Sequence, residues 1–345
     1  MCRLTAYLGH ATNLADLVTR PSRSVIRQSF DARERLGGSG GEVYDCGNLN
    51  ADGFGLGWYT KETEDDVTPC VFTDVGPAWN NKNLHRLARK IRSPLIFAHV
   101  RAAGPSMGIC QCACHPFEYG RFLFMHNGQV SGFKKIRRSL MAKLSQAAFD
   151  YALANSASDS ALAFAIFIDQ VGDPVAAISP ARLRQCLVNV ISIIASALTE
   201  FEVRGTTLLN FVVSDGSALV ATRYVINPDD DVPAASLYFS SGTSFEPSAQ
   251  VVVDPEEEGG KGTPMEVLKE YKMTHGDRRD KVVIVTSEPL TNVVADWVAV
   301  PKNFLVLVTP LKQVLLSPVF ASELADRAGA KGTGAGAGEW ERQRT

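Results

Sequence analysis

The amino-acid sequence predicts an α+β fold in which antiparallel sheets pack against layers of helices. Segments with the alternation of strands come first, apolar helical segments occupy the middle of the chain, and strands dominate again from Thr207 onward. This order does not show the regular strand–helix alternation that indicates a parallel sheet of βαβ units. The 345 residues suffice for one large domain or two small ones, and either would contain a sizeable core.

Four strands are predicted in the first part of the chain. Arg3–Gly9 is expected to be a buried strand, because Leu4, Ala6 and Leu8 alternate with other residues. The other three are Phe54–Tyr59, Leu95–Arg101 and Phe122–His126. The last of these is predicted to end at Asn127-Gly128, because Asn-Gly is a strong turn signal.

Helices are predicted from apolar spacing and from cap residues. Ser158 is expected to cap one helix, and Ser179 precedes a longer helix with Pro180 at its first position. The predicted helices cover Ser24–Arg35, Phe133–Leu144, Asp159–Asp169 and Pro180–Phe201. Five strands follow at Thr207–Ser214, Ala218–Tyr224, Ser236–Ser240, Lys281–Ser287 and Phe304–Val308. The Gly-rich segment Gly37–Gly41 is expected to be a loop, and residues 329–345 a disordered tail.

Composition argues against a nucleic-acid-binding or membrane protein. Hydrophobic residues make up 45% of the chain and charged residues 21%, and the net charge of −2 does not suggest a basic binding surface. The first ten residues lack a secretory signal, and no apolar stretch reaches the roughly 18 residues that span a bilayer. The longest apolar run, Leu187–Leu198, is interpreted as a buried helix. Seven cysteines, an odd number, do not indicate a disulfide framework, so we expect a cytoplasmic protein.

The dipeptide Met1-Cys2 offers a nucleophile at the start of the chain. A small second residue permits removal of Met1, after which Cys2 would carry both a thiol and a free α-amine. An α-amine has a pKa of about 7.7–8.0, so it can act as a general base close to neutral pH. N-terminal nucleophiles of acyl transfer are activated in this way. Met-Cys also begins many proteins by chance, so the dipeptide alone does not establish this role.

Two further motifs suit acyl-transfer chemistry. Arg101 ends an apolar strand, and a guanidinium there can bind a carboxylate through two parallel hydrogen bonds. In Asn127-Gly128, the side-chain amide and the N–H of the following glycine can converge on one oxygen, as in an oxyanion hole. The alternative interpretations are a surface ion pair for Arg101 and a plain hairpin turn for Asn127-Gly128.

The remaining polar motifs leave their role open. Asp159, at a predicted helix start, can receive an ammonium group or simply cap the helix. Cys110, Cys112, Cys114 and His115 have the residue types of a metal site, but their C-x-C-x-C-H spacing lacks the second ligand pair of a zinc site. Neither a metal nor a cofactor is therefore predicted.

Taken together and in this order, the motifs resemble class II glutamine amidotransferases, which belong to the N-terminal-nucleophile hydrolases. The matching segments are Met1-Cys2-Arg3, Asn50–Tyr59, His99-Val100-Arg101, His126-Asn127-Gly128 and Ser158-Asp159-Ser160. Within the class, the chain is similar to the branch that contains a fungal glutathione-degradation subunit and a bacterial amidohydrolase of the ergothioneine pathway. That similarity rests on Pro21–Ser29, Cys114–Phe117, Ser240–Thr243 and Ser287–Leu290.

The resemblance implies a four-layer αββα sandwich, in which two antiparallel sheets lie between helical layers, over one domain of residues 2–315. It implies that Cys2 attacks the γ-amide carbonyl of a glutamine-like substrate. The oxyanion hole would be formed by the Asn127 side chain and the Gly128 N–H. Arg101 would bind the α-carboxylate of the glutamyl group, and Asp159 would receive its α-amino group.

The chain departs from the family pattern in two places. Ala161 stands where an acid usually follows Ser160, and Cys110 and Cys112 are particular to this chain. The signatures of a fused synthase domain are not visible in the sequence. We therefore expect hydrolysis of a γ-glutamyl amide, with glutathione as the substrate and a metallopeptidase-like protein as partner. The alternatives are a free-standing amidohydrolase acting on glutamine or another γ-glutamyl compound, and a catalytically silent subunit that binds γ-glutamyl groups.

Overall fold

Two sheets of seven strands each form the centre of the molecule. They are seen in a computed structural model that describes residues 1–34, 49–60, 66–104, 108–229, 231–251 and 268–319. The loop predicted at Gly37–Gly41 and the tail predicted at residues 329–345 lie outside the described residues. All pairs between named strands are antiparallel, as predicted.

The N-terminal strand lies in the middle of the first sheet. Across this sheet the strands are β14 (Val298–Ala299), β10 (Tyr238–Gly242), β13 (Val282–Thr286), β1 (Arg3–Asn13), β4 (Arg92–Val100), β2 (Phe54–Trp58) and β3 (Cys70–Asp74). Thr5 on β1 faces Thr286 on one neighbour and Ala98 on the other. Both edges of β1 are therefore paired, which places Cys2 at the end of a central strand.

The second sheet carries the predicted oxyanion-hole residues on one of its inner strands. Its strands are β16 (Val314–Pro318), β15 (Phe304–Val308), β8 (Leu219–Arg223), β7 (Thr207–Ser214), β6 (Phe122–Gln129) and β5 (Phe117–Tyr119), with β9 (Val225–Ile226) paired to β7. A separate two-stranded ribbon consists of β11 (Ser244–Val251) and β12 (Lys269–Thr274). Asn127 on β6 lies opposite Asn210 on β7.

Alternation along β1 directs every second side chain into the space between the two sheets. Leu4, Ala6 and Leu8 are buried there, as predicted, in a cluster that includes Leu123 of the second sheet. Tyr7 belongs to a different cluster, on the other face of the first sheet. The first sheet therefore contributes apolar side chains to two separate cores.

Helices cover the outer faces of both sheets, so the predicted four-layer αββα order is confirmed. The second sheet is covered by α4 (Phe133–Met141), α5 (Gln146–Ala154), α6 (Asp159–Val171) and α7 (Pro180–Glu200), and the first by the shorter α1 (Ala15–Val18), α2 (Val25–Gln28) and α3 (Lys82–Ala88) with the β11–β12 ribbon. Ser158 and Ser179 cap α6 and α7 as predicted, by accepting the N–H groups of Ala161 and Arg182.

Helix α7 is a core element of the outer layer. Among the described residues, it is the helix whose length and composition would allow it to cross a membrane. However, 56% of its apolar 18-residue stretch is buried inside the protein, where Leu187, Val190 and Ile194 belong to the core of the second sheet. The interpretation of Leu187–Leu198 as a buried helix is therefore confirmed.

The prediction that β6 ends at Asn127-Gly128 is wrong. The strand continues through Gln129, and both residues pair with β7. The glycine serves close packing of two strands rather than a turn, because a Cβ at Gly128 would overlap the carbonyl oxygen of Leu208. Pairing in the middle of a sheet has therefore overridden the local turn preference.

The end of one predicted helix also differs from the prediction. The helix expected over Ser24–Arg35 ends at Gln28, because Gln28 Nε2 donates to the carbonyl oxygen of Glu288 and the Arg33 N–H donates to the Glu288 carboxylate. The C-terminal domain boundary at residue 315 stays a prediction; near it, β16 runs from Val314 to Pro318 and Val319 is buried. The strands β3, β5, β9, β11, β12, β14 and β16 and the helices α1, α3 and α5 were not predicted.

We expect Phe164→Ala to destabilise the helical side of the molecule. The Phe164 ring is fully buried, and its centroid lies 5.0 Å from that of Phe124 and 5.4 Å from that of Tyr151. Truncation leaves a cavity, for which losses of about 3–5 kcal/mol are typical. Thermal and urea unfolding should therefore give a lower midpoint than for Phe201→Ala, whose ring is 38% exposed. Equal midpoints for the two variants would contradict this packing.

Candidate active site

Cys2 lies beside the residues that follow β4. The pairing of Arg3 with Val100 brings Cys2 next to Ala102, whose N–H donates to Cys2 Sγ at 3.4 Å. The thiol also lies 3.7 Å from the carbonyl oxygen of Ala102. The two strands therefore bring the half-buried Cys2 close to Arg101, although 99 residues separate them in the chain.

Arg101 is fixed by reciprocal hydrogen bonds with the turn at Asp52-Gly53. Its N–H donates to the Gly53 carbonyl at 2.8 Å, and the Asp52 N–H donates to the Arg101 carbonyl at 3.1 Å. The guanidinium donates to the carbonyl oxygens of Asp52 and Gly108, each at 3.3 Å. Within the described part of the chain, this buried cation has neutral carbonyl partners, so its charge is available to an anionic ligand.

The Asp52-Gly53 turn depends on a backbone conformation that favours glycine. Gly53 has a φ of +114°, and a Cβ there would overlap Cys114 Sγ. The Asp52 carboxylate in turn accepts the N–H of Ala103 at 2.8 Å. The run Asn50–Tyr59, noted in the sequence without an assigned role, therefore holds the backbone on both sides of Arg101.

The side chain of Asn127 is oriented by Ser287, a residue to which sequence reasoning gave no role. Asn127 Nδ2 donates to Ser287 Oγ at 3.1 Å, and the same oxygen accepts the N–H of Leu4 at 3.1 Å. One hydroxyl therefore links the Asn127 amide to β1, two residues beyond Cys2. Within the described residues, the buried Asn127 Oδ1 has no hydrogen-bond partner.

The N–H of Gly128 points away from β7. Opposite Gly128, Leu209 donates its own N–H to the Tyr224 carbonyl, which lies on the far side of β7. In an antiparallel pair, two residues that lie opposite each other either both direct their N–H groups towards the partner strand or both direct them away from it. The Gly128 N–H is therefore directed away from β7, as the Leu209 N–H is directed away from β6. The neighbouring strand β5 pairs with β6 only as far as Phe124, so the Gly128 N–H lies beyond the end of β5.

Asp159 joins helix α6 to the segment that follows β6. It is 5% exposed, its Oδ2 accepts the Val130 N–H at 2.9 Å, and its Oδ1 accepts the Ser160 N–H at 2.9 Å. Ser160 Oγ lies 2.8 Å from His126 Nδ1, and His126 Nε2 lies 2.9 Å from the carbonyl oxygen of Leu208. Through the Val130 N–H, the Asp159 carboxylate is therefore held at a residue that lies three positions after Asn127.

A buried ionic network lies directly behind Cys2. Arg3 Nε donates to Glu288 Oε1 at 2.9 Å, and these side chains are 2% and 1% exposed. Arg3 Nη1 also donates to the Cys2 carbonyl at 2.9 Å. Arg23 Nη2 lies 3.3 Å from Glu288 Oε2, and Arg23 Nη1 donates to Asp31 Oδ2 at 2.8 Å. The backbone of the predicted nucleophile is therefore held by a buried pair of opposite charges.

Sequence reasoning did not assign a role to Arg3, Arg23 or Glu288. All three lie in segments that carried the family resemblance, namely Met1-Cys2-Arg3, Pro21–Ser29 and Ser287–Leu290. Those segments were therefore the available signal, but nothing in the spacing of the residues indicates which charges pair.

Three histidines are buried near the site and are kept neutral by their surroundings. Burial lowers the pKa of His99 to about 3, with a smaller opposing effect from its contact with the His126 carbonyl. Burial also holds the pKa of His115 well below its usual range, and lowers that of His126 against the nearby charge of Asp159. Within the described chain, neither ring nitrogen of His115 has a hydrogen-bond partner.

The cysteines at 110 and 112 lie in the loop between Arg101 and β5. Their Sγ atoms are 2.8 Å apart, and Cys114 Sγ lies 3.6 Å from the Cys110 carbonyl oxygen. Among the described residues, no group of three or more His, Cys, Asp or Glu side chains is arranged to hold a metal ion. The loop contributes to the site through the Gly108 carbonyl, which accepts from Arg101.

Comparison with known proteins places the chain in a family. Residues 41–226 match the sequence profile of the family described as Glutamine amidotransferases class-II. The chain is also 36% identical over 336 residues to the "Probable glutamine amidotransferase DUG3" of Saccharomyces cerevisiae, covering 92% of this chain and 84% of that protein. The chain belongs to the class II glutamine amidotransferases. The predicted family and the prediction of an enzyme are thereby confirmed.

Other class II relatives and structures agree with this membership. The "Gamma-glutamyl-hercynylcysteine sulfoxide hydrolase" of Mycobacterium tuberculosis is 30% identical over 235 residues, which cover 67% of this chain and 87% of that protein. A class-II domain protein from Silicibacter pomeroyi superposes with a TM-score of 0.56 at 20% identity, covering 92% of this chain and 98% of that one. The glutamine phosphoribosylpyrophosphate amidotransferase of B. subtilis gives a TM-score of 0.51 at 12% identity, over 93% of this chain and 50% of that one. These two structures support the fold alone.

We expect Glu288→Gln to destabilise this class II protein strongly. The substitution removes the counter-charge of the buried Arg3 guanidinium and one of the two carboxylates that Arg23 contacts. Losses of about 3–5 kcal/mol are typical when one partner of a buried ion pair is removed. The matched control is Glu200→Gln, because Glu200 is 55% exposed in its ion pair with Lys143 and such pairs contribute less than about 1 kcal/mol. The thermal unfolding midpoints of the two variants provide the test, and an unchanged midpoint for Glu288→Gln would contradict the role of the network.

We expect His115→Phe to make the protein less sensitive to acid. The folded state keeps His115 neutral, whereas the unfolded chain protonates it near its ordinary pKa of about 6.5. Burial of neutral His115 therefore does not lower the free energy of unfolding above about pH 6.5, but lowers it progressively as the pH decreases below that value. A phenyl ring fills similar space and removes this proton uptake. The difference in unfolding free energy between about pH 8 and about pH 5 should shrink by about 1–2 kcal/mol. An unchanged or larger difference would contradict the prediction.

Proposed function

We propose that this protein hydrolyses γ-glutamyl amide bonds, with Cys2 as the nucleophile once Met1 has been removed. The observation that carries the proposal is the position of the Cys2 thiol. It lies at the end of the central strand β1, held by the Ala102 N–H beside Arg101, while Ser287 links the same strand to the Asn127 amide. The Cys2 thiol, Arg101 and the Asn127 amide therefore lie at the same end of the two sheets, which supports the proposal.

The reaction would proceed by acyl transfer to the Cys2 sulfur. The free α-amine of Cys2, with a pKa of about 7.7–8.0 for such a group, takes the thiol proton as Sγ attacks the γ-carbonyl carbon. Asn127 Nδ2 and the Gly128 N–H donate to the oxygen that becomes negative, and a donor of this kind contributes about 10²–10³-fold in rate. The ammonium of Cys2 then protonates the leaving amine, and water hydrolyses the thioester to release glutamate.

The charged head of the glutamyl group would lie between Arg101 and Asp159. The guanidinium of Arg101 has neutral partners among the described residues, so it can form two parallel bonds with the α-carboxylate. The carboxylate of Asp159 accepts backbone N–H groups from Val130 and Ser160, which leaves its negative charge to attract the α-ammonium group. The two residues together select an amino-acid head over a simple acid or amine.

Glutathione is the proposed substrate, with glutamate and cysteinylglycine as products. Support comes from the sequence resemblance to the glutathione-degrading branch and from the 36% identity to the yeast protein. We further propose a cytoplasmic location and a metallopeptidase-like partner chain. Hydrolysis of another γ-glutamyl compound without a partner is the second candidate, and the mycobacterial relative named as a γ-glutamyl hydrolase favours it.

The test uses protein whose N-terminus has been shown by mass spectrometry to begin at Cys2. It should release glutamate from glutathione, alone or with the partner chain added. Cys2→Ala should lower the rate by about 10⁴-fold or more, because the attacking group is lost. The matched control is Cys70→Ala, since Cys70 is exposed on the edge strand β3. Failure to release glutamate under both conditions would reject the substrate, and normal turnover by Cys2→Ala would reject the nucleophile.

A further inference from the structure

The side chain of Met1, next to Cys2, packs against a small cluster of buried apolar residues, and the space that it fills there is called the Met1 pocket. Its walls are buried side chains from β7, β9 and the segment before β10, and Val232 packs at its edge together with Met1. The wall residues are Leu208, Val225, Ala234 and Ala235, each no more than 5% exposed. None of these wall residues carries a charge, so the pocket suits an apolar group of about the size of a methionine side chain.

The pocket lies close to the predicted oxyanion hole. Leu208 is two residues from Asn210 on β7, and Asn210 lies opposite Asn127. Because side chains alternate along a strand, Leu208 and Asn210 share a face and lie about 7 Å apart along it. Arg3 Nη1 also contacts the Met1 carbonyl, at 3.4 Å. The group that fills the pocket therefore begins within a few ångströms of the reacting thiol.

The pocket and Arg101 lie on opposite sides of β1. In the first sheet the strand order is β10-β13-β1-β4, and Arg101 follows β4 whereas Ala234 and Ala235 precede β10. Cys2, at the end of β1, therefore lies between the pocket and Arg101. If Arg101 binds the glutamyl head, the pocket lies on the side from which the second half of the substrate departs.

The pocket walls are held independently of Met1. Arg223 donates to the carbonyl oxygens of Ala234 and Ala235, and Asn210 Nδ2 donates to those of Ala235 and Ser236, both at 3.1 Å. These bonds connect the segment before β10 to β7 and β8. Removal of Met1 would therefore leave a preformed apolar space beside the new α-amine of Cys2.

We propose that this space binds the side chain of the amino acid that is released from the γ-glutamyl group. The inference rests on the proposed γ-glutamyl hydrolysis and assigns its specificity. Met1 is joined to the nitrogen that, once free, protonates the leaving amine, so its side chain marks where a leaving amino acid extends. The expected substrates are γ-glutamyl amino acids and peptides whose second residue has a compact apolar or thiol side chain, from cysteine to methionine.

The experiment compares three substrates with the same γ-glutamyl head: γ-glutamylglycine, γ-glutamylcysteine and γ-glutamylmethionine. With protein that begins at Cys2, kcat/KM should rise along this series, by about tenfold or more between glycine and methionine. Ala234→Leu fills the vacated space, so the methionine-to-glycine ratio should fall towards one. Ala142→Leu is the matched control, because Ala142 is exposed at the end of α4, and it should keep the wild-type ratio.

The outcomes separate the pocket from the reaction itself. Glutamate release at equal kcat/KM from all three substrates would overturn the pocket assignment and leave γ-glutamyl hydrolysis intact. A folded Ala234→Leu protein that retains the wild-type ratio would also overturn the assignment. If that variant does not fold, the wild-type series decides alone. Absence of glutamate release from all three substrates and from glutathione, with and without the partner chain, would reject the proposed hydrolysis, and the pocket assignment with it. Release from glutathione but from none of the three substrates would overturn the pocket assignment alone.

Discussion

The ion pair between Arg3 and Glu288 joins two ends of the described chain inside the protein. Its partners are 285 residues apart, both are almost completely buried, and they are 2.9 Å from each other. Two charges removed from water are stable only if their remaining hydrogen-bonding groups are also satisfied. Here Arg3 donates further to the Cys2 carbonyl, and Glu288 accepts from Arg23 and from the N–H of Arg33.

The consequences of this pair extend to each part of the site. It aligns β1 with β13, so that Ser287 faces Leu4 and can orient the Asn127 amide. On the other side of β1, the pairing with β4 places Cys2 against Ala102. The candidate site is therefore assembled from the ends of strands in both sheets, and no single loop contains it.

The division of side chains between the two faces of β1 makes this assembly compatible with a stable core. Leu4, Ala6 and Leu8 fill the space between the sheets, while Tyr7 packs on the other face. The strand is consequently buried along most of its length, and its first residues cannot fray without exposing apolar surface from two cores. The proposed nucleophile Cys2, at the end of this central strand, gains rigidity that a loop would not provide.

Local patterns in the sequence were sufficient for much of the fold. The strands Thr207–Ser214 and Phe304–Val308 have the predicted bounds, and both long helices begin at their predicted caps. The half-exposed β3 was missed, because partial exposure leaves no continuous apolar run or clear alternation.

The site was predictable only in part from the sequence. Cys2, Arg101, Asn127 and Asp159 were all identified as candidate site residues from sequence motifs, but most of the residues that contact them were not. The interpretation of Asn127-Gly128 as a turn failed, because its conformation is set by a distant strand. The pairing of Arg3 with Glu288 has no local signature, since charge complementarity over 285 residues leaves no periodicity.

The central position of β1 also determines the order in which the site can form during synthesis. β1 leaves the ribosome well before its neighbour β13 and before Glu288, the partner of Arg3, which lies 285 residues further along the chain. At about 5–20 residues per second, this interval is on the order of 15–60 s. Throughout that time the first sheet lacks the strand that would enclose the start of the chain. Met1, which is half-buried in the folded protein, is therefore more accessible to an aminopeptidase before β13 is in place, and its removal can precede completion of the protein.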